Sequence, residues 1–127
     1  MRIALRLIVL LAAAAALPAW SHHSVSGVFD SAQRVELTGV ISKIDWINPH
    51  TYFHLNVSNQ DGSTSVWQLE SLPTAMLRKA GLTSAMIMDG GSVVKVHAIK
   101  ARDGTENLVW LLRVDYPDGR NYQFAND

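Results

Sequence analysis

Five histidines carry the most obvious chemistry in this chain: His22, His23, His50, His54 and His97. Neutral imidazole is the commonest side-chain metal ligand, and two of the five are adjacent. What His22-His23 can do depends on where the chain is cut ahead of it. A cut after Ser21 gives His22 a free α-amine, which together with its own imidazole chelates one ion through two nitrogens. A cut after Ala19 leaves Trp20-Ser21-His22 as the start. A histidine third from the amine can wrap Cu(II) in four nitrogens, two of them deprotonated amides. Tetragonal, nitrogen-rich coordination selects Cu(II) or Ni(II) over Zn(II). In either register the amine, with an ordinary pKa of about 8, must lose its proton, so binding weakens in acid. The plainer alternative is a histidine pair that merely trails from the cut.

The second candidate is Trp46-Ile47-Asn48-Pro49-His50, with His54 after it. Pro49 fixes its own φ, biases Asn48 towards extended backbone and removes one donor, which pre-shapes a loop that aims His50. Alternation along 51–58 places His50, Tyr52, His54 and Asn56 on one face. Four residues of strand span about 13 Å, so His50 and His54 cannot hold one ion together unless the strand starts late, and His50 with the N-terminal arm is the more feasible pair. The metal candidates are therefore His22, His23 and His50, with copper as the ion. Trp46, Asn48, Tyr52, His54 and Trp67 are candidates for a ligand groove in which indoles offer stacking surfaces. The competing readings are a His50 that hydrogen-bonds backbone in its turn, tryptophans that fill the core, and a solvated His97 that alternates with Lys95.

The elements that must position these residues read as mainly β. Residues 35–46 alternate as one long strand whose apolar face switches near Gly39, where a bulge or sharp coil is expected. Strands follow over 51–58 and 64–70 across the Asp61-Gly62 turn. Residues 71–81 are the one convincing helix, with Ser71 as its cap, Pro73 in its first turn, Leu72, Met76 and Ala80 as its apolar stripe and Gly81 at its C-terminal end. Ser84 to Met88 suits one further turn. Strands over 93–100 and 107–116 flank Asp103-Gly104, and 121–124 can pair back. In the 107–116 strand, Leu108, Trp110, Leu112 and Val114 share a face. Three strands, a helix and two strands predict a small five-stranded OB-like antiparallel barrel, with one helix between strands 3 and 4. An open antiparallel sheet with a helix on one face is the alternative.

Residues 1–21 read as a signal peptide: Arg2 and Arg6, then an apolar run over 7–17, then Pro18 and the small residues Ala19 and Ser21. The run falls short of the roughly 20 residues that span a bilayer. The expectation is an exported protein, periplasmic or secreted, with no stable membrane span after cleavage. Residues 22–34 then form an extended arm, which Val28 and Phe29 can anchor, and 35–127 form the barrel domain. Without Arg2 and Arg6, nine Lys and Arg face eleven Asp and Glu, a balance that argues against nucleic acid as partner. There are no cysteines, so neither disulfides nor a thiol nucleophile are available. The chain has no G-x-S-x-G, no H-E-x-x-H and no phosphate-cradling glycine loop. The expected role is a binding module for a metal ion. The alternative is an interaction module for another exported protein or a saccharide, with incidental histidines.

His22-His23-Ser24, Leu37-Thr38-Gly39-Val40 and Trp46-Ile47-Asn48-Pro49-His50 together resemble an uncharacterised family of small exported bacterial proteins carrying a domain of unknown function. Ala80-Gly81-Leu82, the strand opening at Gly91-Ser92-Val93-Val94, Lys100-Ala101-Arg102-Asp103-Gly104 and Pro117-Asp118-Gly119-Arg120 extend the resemblance over the chain that follows the leader. Gly81-Leu82 departs from the Gly-Trp common there. The resemblance implies an exported β-barrel and supplies no activity.

Overall fold

The computed structural model describes residues 24–126, so His22 and His23 lie outside the described residues. Six strands form one sheet: β1 (Phe29–Asp45), β2 (Tyr52–Ser58), β3 (Thr64–Glu70), β4 (Val93–Ala101), β5 (Leu108–Asp115) and β6 (Asn121–Gln123). Their order is β3-β2-β1-β4-β5-β6, and β3 also pairs with β5. That last pairing is parallel, over Gln68–Leu108, Leu69–Val109 and Glu70–Trp110. It joins the two ends of the β3-β2-β1-β4-β5 run, so the sheet closes on itself like a ring. The other ladders are antiparallel. Three short α-helices, α1 (Val25–Val28), α2 (Thr74–Lys79) and α3 (Ser84–Met88), and a 3-10 turn at Asp89–Gly91 complete the described chain.

The sheet therefore has six strands where five are expected, because 121–123 pairs with β5 after the Asp118-Gly119 turn. β1 also begins earlier than its alternation shows, at Phe29. Phe29 opposes Ala101, and pairing resumes only at Arg34. β1 serves two partners in turn. It pairs with β4 up to Val40 and with β2 from Val40 onward. Gly39 sits at this hand-over, and a Cβ there would run into the Asn56 carbonyl oxygen of β2. The register shift itself falls between Ile41 and Lys43, so Ser42 is the extra residue.

Apolar residues cluster on both surfaces of the sheet. Inside the ring lie Leu37, Ile41, Phe53, Leu55, Leu69, Val94, Val96, Ala98, Val109, Leu111 and Val114. On the outside, Phe29, Ile99, Ala101, Trp110 and Leu112 form a second cluster, joined by Val25, Val28 and Leu72. β5 is thus buried on both faces, and the shared face expected of Leu108, Trp110, Leu112 and Val114 does not form. Ala98 pairs with Leu111 while His97 pairs with Arg113. Leu112 is the bulged residue, and from there the inward side passes from odd to even positions.

The helix expected over 71–81 is shorter and faces another way. Pro73 occupies the N-cap position of α2. Ser71 is instead fully buried, and its backbone N–H donates to Thr51. Leu77 is the buried residue of α2, whereas Met76 is 55% exposed and Ala80 is exposed. Gly81 has φ +81°, and the Leu82 N–H reaches back to the Leu77 carbonyl. That six-to-one bond closes the helix as glycine at this position allows.

Gly39→Ala should destabilise the protein by about 1–3 kcal/mol, because the new methyl meets backbone rather than a side chain that can swing away. A urea midpoint equal to the wild-type value would show that β1 and β2 can part at Gly39 without loss.

Candidate functional site

The loop that carries His50 is tied to the segment leading into α2. Thr51 N–H donates to the Leu72 carbonyl at 3.1 Å, and Ser71 N–H donates to the Thr51 carbonyl at 2.9 Å. Thr74 Oγ1 donates to the Ile47 carbonyl at 3.1 Å, so the Thr51 hydroxyl, 3.0 Å from Thr74 Oγ1, is the donor in that pair. The Asn48-Pro49 peptide bond is cis. Asn48 and Pro49 are exposed, while Thr51 is fully buried.

His50 is thereby held over the outer side of the ring's closing seam. Its Nδ1 lies 3.0 Å from the Ser71 carbonyl. A carbonyl can only accept, so Nδ1 carries a proton, and the neutral ring then has its lone pair on Nε2. Nε2 faces Glu70 Oε1 at 3.7 Å, with side-chain exposures of 13% for His50 and 6% for Glu70. The Tyr52 hydroxyl donates to Glu70 Oε2 at 3.2 Å. Burial, followed by the charge and hydrogen bond of Glu70, pushes the Tyr52 phenol above its ordinary value. The edge of His50 meets the Trp110 ring, centroids 5.7 Å apart. Glu70 stands opposite both Tyr52 and Trp110 in the ladders. The neighbouring Ser71 Oγ is buried and has no hydrogen-bond partner among the described residues.

Trp110 also touches Phe29, at 5.9 Å between centroids. The start of the described chain therefore lies on the same outer cluster as His50. Arg102 holds it there: its backbone N–H donates to the Val28 carbonyl at 2.8 Å and its guanidinium reaches the Ser26 and Phe29 carbonyls.

The remaining candidate residues are dispersed. Trp46 donates its indole N–H to Ser84 Oγ at 2.8 Å and lies under the Arg78 guanidinium. His54 bonds Asp45 at 2.7 Å, and Lys43 reaches the other oxygen of that carboxylate. Lys43 and then His54 hold the Asp45 carboxyl below its ordinary value. Trp67 lines a separate cleft of about 320 Å³ with Gln33, Lys100, Thr105, Glu106 and Asn107. Among the described residues the printed contacts set Trp46 against Ser84, His54 against Asp45 and Trp67 in its own cleft. Tyr52 stands with His50 through their shared contact with Glu70.

His97 is not the solvated side chain its alternation suggests. It is 18% exposed, with Nδ1 3.2 Å from Glu36 and Nε2 2.8 Å from Asp115. Arg113 braces the same Asp115, Nε to Oδ1 at 2.9 Å. His97 and Glu36 border a cleft of about 330 Å³ with Arg34, Val35 and Leu112. Glu70 is the residue that sequence reasoning missed. Leu69 turned inward sends Glu70 outward, which was readable, but its burial against His50 was not. Among the described residues no three His, Cys, Asp or Glu side chains gather around one point. No described helix is long and apolar enough to cross a membrane.

The model of a family of unknown function (DUF6152) matches residues 9–109. That span includes the histidine pair, the W-I-N-P-H loop and Glu70, and it ends within β5. No curated protein and no solved structure matches the chain.

Burial pushes the Asp115 carboxyl up, but hydrogen bonds from His97 and Arg113, and their charges, outweigh it and hold the group below its ordinary value of 3.8. A depressed folded-state pKa contributes stability that is complete above the unfolded value and lost as pH falls through the folded one. Asp115→Asn should therefore cost stability at neutral pH and flatten the acid loss below about pH 4. Urea midpoints across the acid range read this directly, and parallel curves for the two proteins would contradict it.

Proposed function

The chain belongs to this family of unknown function, and from that premise we propose that it is an exported, periplasmic binding module for a copper-like divalent ion. Residues 1–21 act as its signal peptide, and the new α-amine, His22, His23 and His50 supply its nitrogens. The observation that carries the reading is the setting of His50. A ring pinned through Nδ1–H to a backbone carbonyl has its tautomer and orientation set, as metal-bound histidines do. The chain beginning at Ser24 packs into the cluster that contains Trp110, the ring His50 touches. In the sequence His23 stands two residues before Val25, which packs on that cluster.

The ring is read here as an OB-like barrel of β1, β2, β3, β5 and β4, with β6 appended. What supports this is the parallel β3–β5 pairing that closes the run. OB folds bind through the loop between strands 1 and 2 and the loop between strands 4 and 5. His50 sits on the first. The second supports another reading, in which a saccharide or exported partner stacks on Trp67 in the cleft of about 320 Å³ bordered by 104–107.

The protein purified from the periplasm should have lost residues 1–21 or 1–19 by intact mass and should bind about one Cu(II). Acetylating the α-amine, or extending the chain by one residue, should abolish that binding. Equal binding by the extended protein overturns the metal reading. In the saccharide reading, Trp67→Ala costs glycan-array binding by about 1–3 kcal/mol, as the loss of one stacking platform does, while His22→Ala leaves it unchanged.

A further inference from the structure

We propose that the open edge of β3 pairs with the same edge of a second copy of this chain, in a two-fold antiparallel ladder centred on Ser65. This contact is separate from the His50 loop and from any metal. The β3–β5 pairing that closes the ring covers β3 only from Gln68 to Glu70. Thr64 to Trp67 pairs with β2 on one side and, among the described residues, with no strand on the other. In an antiparallel ladder every second residue turns its N–H and C=O to the partner, and the residues between turn theirs away. Gln68 shows which residues of β3 turn away from β2, because its N–H donates to the Asn107 carbonyl at 2.7 Å. Thr64 and Val66 share the phase of Gln68. Their backbone N–H and C=O groups therefore face the open edge.

Nothing in this stretch discourages pairing. Native sheets blunt an open edge with charge, proline or a bulge. Thr64-Ser65-Val66-Trp67 carries no charge and no proline, and its register against β2 runs without a shift. Thr64 is exposed, and Val66 is 52% exposed, so an apolar side chain accompanies the free backbone.

The ends of the stretch select the occupant. At Gln68 the neighbouring position passes to β5, and the chain leading into it, 104–107, flanks the cleft beside Trp67. An extended peptide laid along Thr64–Trp67 meets that chain unless it turns away there. A second β3 does turn away. Ahead of Thr64 it bends through 59–63, where the Asn59 N–H donates to the Ser63 carbonyl and the Gly62 N–H to the Asn59 carbonyl. The free groups also set the register. With the two-fold at Ser65, Thr64 of each copy faces Val66 of the other, and all the free N–H and C=O groups of both residues pair. A centre at Val66 sets Thr64 against Gln68, whose N–H already serves Asn107. A centre at Thr64 sets Val66 against Gly62, which lies in the turn. At Ser65 no like charges oppose each other across the ladder, an arrangement that would be destabilising. Such a self-complementary two-fold contact is the commonest way in which identical chains associate.

Sedimentation velocity of the exported protein should show a dimer whose fraction rises with concentration. Ser65→Cys tests the geometry, because the chain has no cysteine of its own. Facing residues that lie between hydrogen-bonded pairs have Cα atoms about 4.5 Å apart, within the roughly 4.4–6.8 Å that a disulfide spans. Ser65→Cys should therefore oxidise to a covalent dimer. Val66→Cys is the control: its symmetry mate lies on the diagonal, about 7–8 Å away, and it should cross-link at least about tenfold more slowly. Val66→Pro removes one N–H donor from each copy at an edge position where proline is tolerated. It should weaken self-association at least about fivefold. Val66→Lys should weaken it too, by charging the edge, and it decides the matter if circular dichroism shows the proline variant unfolded. A wild-type protein that stays monomeric at every concentration, or equal cross-linking of Ser65→Cys and Val66→Cys, overturns the proposal.

Discussion

The parallel pairing of β3 with β5 is the contact on which the rest of the structure depends. Three residues of each strand make it, and over that stretch the facing edges of β3 and β5, which would otherwise expose unpaired backbone, satisfy each other. It also decides what lies side by side on the outer surface. Glu70 comes next to Trp110, and Trp110 carries the outer cluster that receives Phe29 and the chain before it. Closure of the sheet and assembly of the candidate site are therefore one event.

A second constraint acts on the loop between β1 and β2. A buried Thr51 and a buried Ser71 bring backbone groups that must be satisfied. They are, by exchange between the loop and the entry to α2. The exchange holds His50 against the Ser71 carbonyl, and the ring has little freedom left. This is the rigid support that a binding residue on a loop needs, and it comes from backbone bonds that any side chain at position 50 would leave in place. In the same entry segment Pro73 rather than Ser71 stands at the N-cap position, so α2 starts only at Thr74.

His54 and His97 show what the other histidines do. Each lies against a carboxylate on a neighbouring strand, Asp45 in one case and Glu36 and Asp115 in the other. These are cross-strand polar pairs on the outside of the ring, of the kind that aligns neighbouring strands. They explain why a histidine on a polar face need not be solvated. Seen from its own strand, His97 alternates outward. Seen from the sheet, it fits between two acids that belong to β1 and β5.

By itself the sequence determined the local elements: the strand periods read over 51–58, 64–70 and 93–100, the glycine turns, the end of α2 at Gly81 and a bend in β1. Each follows from side-chain alternation or backbone freedom within a few residues, which needs no knowledge of distant chain. It also singled out the W-I-N-P-H loop, because proline chemistry is local. Only the tertiary structure decided that β5 is buried on both faces, that Leu77 rather than Met76 faces inward, that Trp46, Trp67 and His54 part company, and that Glu70 meets His50. Those outcomes depend on the bulge at Leu112 and on the β3–β5 pairing, which join residues some 40 positions apart. Packing between such distant segments leaves no periodic mark in either of them, so the sequence could name His50 but not its buried carboxylate partner.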